Sequence, residues 1–428
     1  MNMEISSIYQ KILQNNKFNI SIDTRNIKVG DVYIGIKGEN FDGNKFASDA
    51  INKGASLAIV NSGISEDEKY IIVDDTHKIL SDLANYHRNQ FNIPIIAIGG
   101  SNGKTTTKEL INAVLNKKYK THVTNGNLNN DIGVPLTLLA MPMDTEIAII
   151  EIGANHALEH TKLMNIISPT CALVTNNGAD HLEGFGSMAG ARKANKEIYD
   201  WSLKNNIPVF INKNILDLLE DSKGCNKIIY PKEIYKSNSS LYAGVIYSDT
   251  IFETSLFGSY NEPNILAAIS VGEYFNVEIN KIKEAISEYV PTLKRSQLIK
   301  TDDYTFILDC YNANPTSMEL ALQDFFSQTI NEKRIVLIGD MFELGDEEDK
   351  SHTDILILLS SLIKNDDEVI IIGPRFYRNR ANFQYKFFED VPIAREYFNA
   401  LSLKNRFIFV KASRGTKIEE VIKEKISI

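Results

Sequence analysis

Short, nearly continuous apolar runs separated by amphipathic stretches recur along most of this 428-residue chain. Near the start, positions 31–36 and 55–60 predict strands, with helical spacing over 46–53 between them. Farther on, 95–99, 146–151, 171–175 and 209–212 are apolar runs, and helical patterns such as 108–115 separate them. The alternation resumes at 306–309, 334–339, 368–373 and 407–411. Strands that are apolar on both faces and alternate with helices predict an α/β chain of mostly parallel, helix-covered sheets. In such sheets ligands gather beyond the strand C-termini.

So long a chain exceeds one core, and the grouping of runs predicts three units. We place them at 1–83 (a small α/β unit), 84–293 (a central parallel sheet) and 294–428 (a second, Rossmann-like doubly wound unit). No internal repeat or low-complexity tract interrupts them.

Composition narrows the function classes. A 43% hydrophobic and 24% charged content is that of a globular protein, and a net charge of −9 argues against a nucleic-acid binder. Cys171, Cys225 and Cys310 stand far apart, without metal-ligand spacing, and read as reduced thiols. No apolar run is long enough to span a membrane, and the start Met1-Asn-Met-Glu-Ile-Ser does not resemble a leader. The expectation is a cytoplasmic protein without membrane insertion.

The sharpest chemical signal is Gly100-Ser-Asn-Gly-Lys-Thr-Thr-Thr107, set between the 95–99 strand and the following helical pattern. Gly100 and Gly103 let backbone N–H groups approach an anion, with Ser101, Asn102 and Thr106 completing the loop. Lys104 brings a mobile charge, and Thr105 a hydroxyl suited to Mg²⁺. Ile98 stands where a standard P-loop has its first glycine, and an ordinary glycine turn is the plain alternative. Glu151 and His181 follow later strand ends and read either as Mg²⁺ ligands or as solvated edges. The stretch Asn125-Gly-Asn-Leu-Asn-Asn-Asp-Ile-Gly-Val-Pro135 holds more asparagine than one turn requires, which favours a polar substrate loop at Asn127, Asn129, Asn130 and Asp131. On the third unit, Lys294-Arg-Ser-Gln297, Asp309-Cys-Tyr-Asn-Ala-Asn-Pro-Thr-Ser317 and Lys411-Ala-Ser-Arg414 are anion-binding or surface ion-pair candidates.

Taken in order, these strings resemble the ATP-dependent Mur ligases of peptidoglycan synthesis. The resemblance rests on Asp23-Thr-Arg25, Lys37-Gly-Glu-Asn-Phe-Asp42, the Asn127–Pro135 loop, Glu151-Ile-Gly-Ala-Asn-His156, His181-Leu-Glu-Gly-Phe-Gly186, Asp309-Cys-Tyr-Asn-Ala-Asn-Pro315 and Gly339-Asp-Met-Phe-Glu-Leu-Gly345. The last string and the Asn-rich loop point to the branch that adds D-alanyl-D-alanine to UDP-N-acetylmuramoyl-tripeptide. The resemblance implies a monomer whose first unit holds UDP near Asp23, Thr24, Arg25, Lys37 and Gly38. It implies ATP and Mg²⁺ at Lys104, Thr105, Glu151 and His181, with Asn261 at the adenine. Arg295 and Asp309 would reach ATP from the third unit. Asn312, Asn314, Ser317, Lys411, Ser413 and Arg414 would meet the dipeptide. The expected reaction is amide ligation through an acyl phosphate. Another Mur ligase, a folylpolyglutamate synthase, a kinase and a nucleotide binder without turnover are the rivals.

Two positions depart from the family. Where its members carry a carbamylated lysine, an ungapped match puts Asn195 in Lys193-Ala-Asn-Lys-Glu-Ile198, and a one-residue shift would substitute Lys196. Tyr260 replaces a histidine before Asn261, and its ring is expected to pack beside the base.

Overall fold

The computed structural model describes residues 4–14, 18–38, 41–61, 68–291, 294–364 and 366–426. Glu39 and Asn40 of the 37–42 string, and position 293 at the expected end of the central unit, lie outside the described residues.

Alternation of side chains along short parallel strands builds the first unit. Strands β1 (Ile20–Ser21), β2 (Val32–Ile34), β3 (Leu57–Val60) and β4 (Tyr70–Ile72) pair in parallel in chain order. Val32, Ile34, Leu57 and Ile59 face a large core shared with the middle unit, while Tyr33, Ala58 and Val60 pack on Ala47 and Ala50. Helix Thr76–Arg88, capped by the Asp75 side chain, ties the two units together. Its His87 meets the Met141 carbonyl, and its Arg88 donates to the carbonyls of Ile167 and Ser168. The 83/84 junction therefore falls inside a helix.

The middle sheet is parallel throughout, with order β10-β9-β8-β5-β7-β6. Its strands are β5 (Ile95–Gly99), β6 (Thr121–Val123), β7 (Ile147–Glu151), β8 (Cys171–Val174), β9 (Val209–Asn212) and β10 (Lys227–Tyr230). Both faces are covered: Ile95, Ala97, Ile150 and Val174 join one core, and Ile96, Ile98, Ile149 and Leu173 join another. From β5 the chain first winds toward β6 and β7, then crosses to β8 on the other side. The C-terminal end of β5 is thus a switch point, the place where such sheets open a crevice.

The third sheet runs β11-β12-β13-β14-β15-β19-β16-β17-β18. Lys236–Ser237, Tyr242–Tyr247 and Thr250–Phe257 (β11–β13) and Gln297–Lys300 (β14) form its antiparallel part. Tyr304–Asp309, Lys333–Gly339, Glu368–Ile372, Lys386–Phe388 and Arg406–Lys411 (β15–β19) are parallel. The hairpin β12–β13 was not anticipated: it lies in sequence with the middle unit yet joins the third sheet through the Leu256–Gln297 pair. No helix among the described residues is long and apolar enough to cross a membrane.

Candidate active site

Glycine is required where β5 turns into helix Lys104–Asn116. Gly100 has φ +114, and a Cβ there would lie 2.3 Å from Thr175 Oγ1 and 2.8 Å from the Thr175 nitrogen. Gly103, the residue before the helix, has φ +80, and its Cβ would fall 2.7 Å from Asn264 Oδ1. An L side chain would pay both for the left-handed backbone and for the clash. The loop is braced from the neighbouring strand, because Asn102 N–H donates to Asn176 Oδ1 (3.0 Å) and Asn176 Nδ2 to the Asn102 carbonyl (2.9 Å). The free N–H groups of the first helical turn face the loop, as anion binding needs.

Lys104 folds back over this cradle. Its Nζ donates to the carbonyls of Gly100 (2.6 Å) and Ser101 (2.9 Å) and lies 3.3 Å from Asp180 Oδ2. Thr105 Oγ1 donates to Glu151 Oε1 at 3.2 Å, and Asn129 Nδ2 reaches the same oxygen at 2.9 Å. Glu151 is only 1% exposed, and its second oxygen, Oε2, has no hydrogen-bond partner. Lys108 Nζ lies 3.7 Å from it, fully buried and engaged instead by the Thr124 carbonyl (2.6 Å) and Glu109 Oε1 (3.0 Å). A buried carboxylate oxygen without a donor is costly and suits a cation. Among the described residues no three His, Cys, Asp or Glu side chains form a ready metal cage. The site therefore fits Mg²⁺, an ion that takes much of its shell from phosphate and water.

His181 stands at φ +49 beyond β8, next to Asp180. Its Nδ1 is 2.5 Å from Glu343 Oε2 of the third unit, and its Nε2 is 3.6 Å from Asp180 Oδ1. Burial alone would lower the imidazole pKa; the Glu343 hydrogen bond and the Asp180 charge outweigh it and raise the value. The same hydrogen bond holds Glu343 below the usual carboxylate range.

The third unit touches the cradle at a second point. Asn314 Nδ2 donates to Asn102 Oδ1 (2.8 Å), and Ala179 N–H donates to Thr316 Oγ1 (3.2 Å). Arg295 stacks on Tyr311, its Cζ 3.6 Å from the ring centroid, and its buried Nε has no partner. Arg414 Cζ lies 5.7 Å from the same ring. Asn312 Oδ1 accepts the Ala313 N–H.

Several expected ligand residues are engaged within the protein. Asn314 and Ser317 form the capping box of helix Pro315–Ser327. Lys411 is buried against Asp309 (Nζ to Oδ2, 2.6 Å), whose Oδ1 accepts the Ser296 N–H. Ser413 Oγ donates to the Ala313 carbonyl and accepts from Phe342 N–H. Asn261 is 3% exposed, and its amide is spent on the Phe257 carbonyl and on Asn264. Tyr260 bonds Ser296 Oγ through its hydroxyl and meets Phe257 edge-on, so its ring packs into protein. Asn130 Oδ1 accepts the N–H groups of Ile132 and Gly133, Asp131 pairs with exposed Lys162, and Asn127 is exposed. Asp23 accepts from the Arg25 backbone and guanidinium on an exposed turn with Thr24. Lys37 forms an antiparallel bridge with Asp42, and the Gly38 N–H donates to the Phe41 carbonyl (2.7 Å).

Asn195 faces the cradle. It is 5% exposed, and its Nδ2 donates to Asn177 Oδ1 (3.0 Å) and Ser101 Oγ (3.3 Å). Lys196 instead pairs with Asp200 on the outer side of the helix, and Lys193 is exposed. At about 100° per residue the two project from different faces, and it is Asn195, not Lys196, that faces the cradle.

Sequence reasoning missed Asp180, Lys108 and Glu343. Asp180 directly precedes His181, and Lys108 lies one turn beyond Lys104, so spacing alone could have raised both. Nothing local signals that Glu343 reaches another unit.

Three family models match the chain: "Mur ligase family, catalytic domain" over 18–88, "Mur ligase middle domain" over 98–272 and "Mur ligase, glutamate ligase domain" over 294–414. The chain is similar to the UDP-N-acetylmuramoyl-tripeptide--D-alanyl-D-alanine ligase of Bacillus subtilis (strain 168), with 32% identity over 95% of this chain and 93% of that protein. The Escherichia coli (strain K12) protein of the same name is 30% identical over 94% and 92%. Among solved structures, MurF from Acinetobacter baumannii superposes with a TM-score of 0.85 at 27% identity, covering 97% of this chain and 98% of that one.

Proposed function

The chain belongs to the Mur ligase family, and from that membership and the cradle geometry we infer an ATP-dependent ligase that joins D-alanyl-D-alanine to UDP-N-acetylmuramoyl-tripeptide. The observation that carries the residue assignments is the convergence of Lys104, Thr105 and the half-satisfied Glu151 at the switch point of the middle sheet.

In this reading Lys104 exchanges its two backbone carbonyls for the β- and γ-phosphates of ATP, which lie on the N–H groups of the Gly100–Thr106 turn. Thr105 and Glu151, with His181 beside them, would hold Mg²⁺, which when bound would supply positive charge against the transferring phosphoryl group. The tripeptide's terminal carboxylate oxygen attacks the γ-phosphorus, and the bond to ADP breaks. The dipeptide amine then attacks the carbonyl carbon of the acyl phosphate, and phosphate leaves with that carboxylate oxygen. Lys104 and Arg295 act by charges fixed before the reaction begins. Asp309 and Lys411 hold the Arg295 turn through Ser296, while Arg414 and Asn312 flank Tyr311, where the dipeptide is received. Docking of the third unit on Asn102 and Ala179 keeps water from the acyl phosphate. Asp23, Thr24, Arg25, Lys37 and Gly38 offer a partly exposed polar face for UDP, and the Asn127–Asp131 loop, which reaches Glu151 through Asn129, offers polar groups to the substrate. The reaction belongs in the cytoplasm, where ATP and the nucleotide-linked peptide are available.

Phosphate release by the purified protein tests this reading. With ATP, Mg²⁺ and the UDP-linked tripeptide, release is expected only when D-alanyl-D-alanine is added. Release that ignores the dipeptide, or phosphate retained on the acceptor as a kinase would leave it, would contradict it.

A further inference from the structure

The Gly339–Gly345 string follows β16, and its conformation is costly. Glu343 is a non-glycine residue at φ +63, and Gly345 sits at φ +55. Two anchors hold the turn. Buried Asp340 accepts the N–H groups of Arg375 and Phe376, both at 3.0 Å, and Phe342 N–H donates to Ser413 Oγ at 3.1 Å. What the turn delivers is Glu343. Its carbonyl accepts the Glu183 N–H at 2.9 Å, and its carboxylate meets His181 Nδ1 at 2.5 Å. Gly345 passes so close that a Cβ would stand 3.1 Å from Glu183 Cα. His181 is itself left-handed at φ +49, so two residues in a sparsely populated conformation, from two units, face each other across one charge-assisted hydrogen bond. Such a conformation persists only where its surroundings over-determine it.

We propose that Glu343 is a positioning residue for His181, supplied by the third unit, that fixes which imidazole nitrogen is presented to Mg²⁺ in the ATP site. The inference rests on the reading of His181 as a metal ligand. An ionised carboxylate can only accept, so the proton of the neutral ring sits on Nδ1. Nε2 then keeps its lone pair, on the side of Asp180, whose other oxygen contacts Lys104. Metal-binding histidines are commonly oriented by a carboxylate on the far nitrogen. Here that carboxylate arrives from another unit, so docking of the third unit completes the histidine's orientation.

The test uses the full chain labelled with ¹⁵N-histidine. In the wild-type protein the neutral His181 ring is expected to carry its proton on Nδ1; an Nε2–H ring would overturn the proposal without any variant. In Glu343→Ala the ring is expected to lose that preference, and Mg²⁺ binding with a non-hydrolysable ATP analogue to weaken by about 10-fold or more, the lower end for loss of such a partner. Glu343→Gln, whose amide oxygen still accepts, should keep the Nδ1–H ring. If either the tautomer or the Mg²⁺ affinity of Glu343→Ala stays at the wild-type value, the proposal fails. Failure of the ligase reading is distinct, because wild-type protein would then lack dipeptide-dependent phosphate release.

Discussion

Glu151 ends a strand of the middle sheet and Asp309 ends a strand of the third, yet the two carboxylates meet their neighbours differently. Asp309 has both oxygens engaged, one by the Ser296 N–H and one by Lys411 at 2.6 Å. Glu151 shares one oxygen between Thr105 and Asn129 and leaves the other buried without a donor. Lysines differ in the same way: Lys411 sits 2.6 Å from its carboxylate partner, whereas Lys104 rests on two carbonyls that a phosphate can replace, with Asp180 Oδ2 farther off at 3.3 Å. The middle strand ends are built to receive charge, and the third-unit strand ends already hold theirs.

Breaking the satisfied pair should give the largest effect. Lys411→Met leaves the Asp309 carboxylate poorly compensated and is expected to cost about 3–5 kcal/mol of stability, measurable by urea unfolding. Adding Asp309→Asn should recover much of that loss, as coupled neighbours do; a Lys411→Met protein as stable as wild type would remove the contrast. Lys104→Ala sharpens it from the other side. Turnover is expected to fall by at least roughly 100-fold, the scale of one preorganised charge contact. Near-normal turnover would mean that the loop is not the phosphate site. The smallest effect concerns Asn195. An amide cannot be carbamylated and Lys196 points outward, so removing bicarbonate should leave turnover unchanged; a clear bicarbonate requirement would show that another lysine enters the site.

Most strands and the glycine loop were legible because their signals are local. Strands such as Ile95–Gly99 and Val209–Asn212 are buried on both faces, which writes them as unbroken apolar runs. Thr121–Val123 and Lys386–Phe388 are three-residue edge strands with partly exposed side chains, and so short a run carries no period. The β12–β13 hairpin turns through Ser248 and Asp249 at φ +47 and +58, a left-handed pair without the glycine that usually announces it. At the site, Gly100, Lys104 and Thr105 are neighbours in sequence and could be read together. The roles of Ser317, Lys411, Ser413 and Asn261 could not, because each depends on a partner that only the folded chain brings near. A polar side chain at a strand end looks the same in sequence whether it faces a ligand or an opposite charge.

The central claim is that ATP gripped at Lys104 activates a carboxylate through an acyl phosphate, and isotope transfer tests it most directly. UDP-N-acetylmuramoyl-tripeptide labelled with ¹⁸O in its terminal carboxylate is incubated with ATP, Mg²⁺ and D-alanyl-D-alanine, and the released phosphate is weighed by mass spectrometry. The account predicts one ¹⁸O atom in each phosphate released. Phosphate free of label, formed alongside the pentapeptide product, would contradict it.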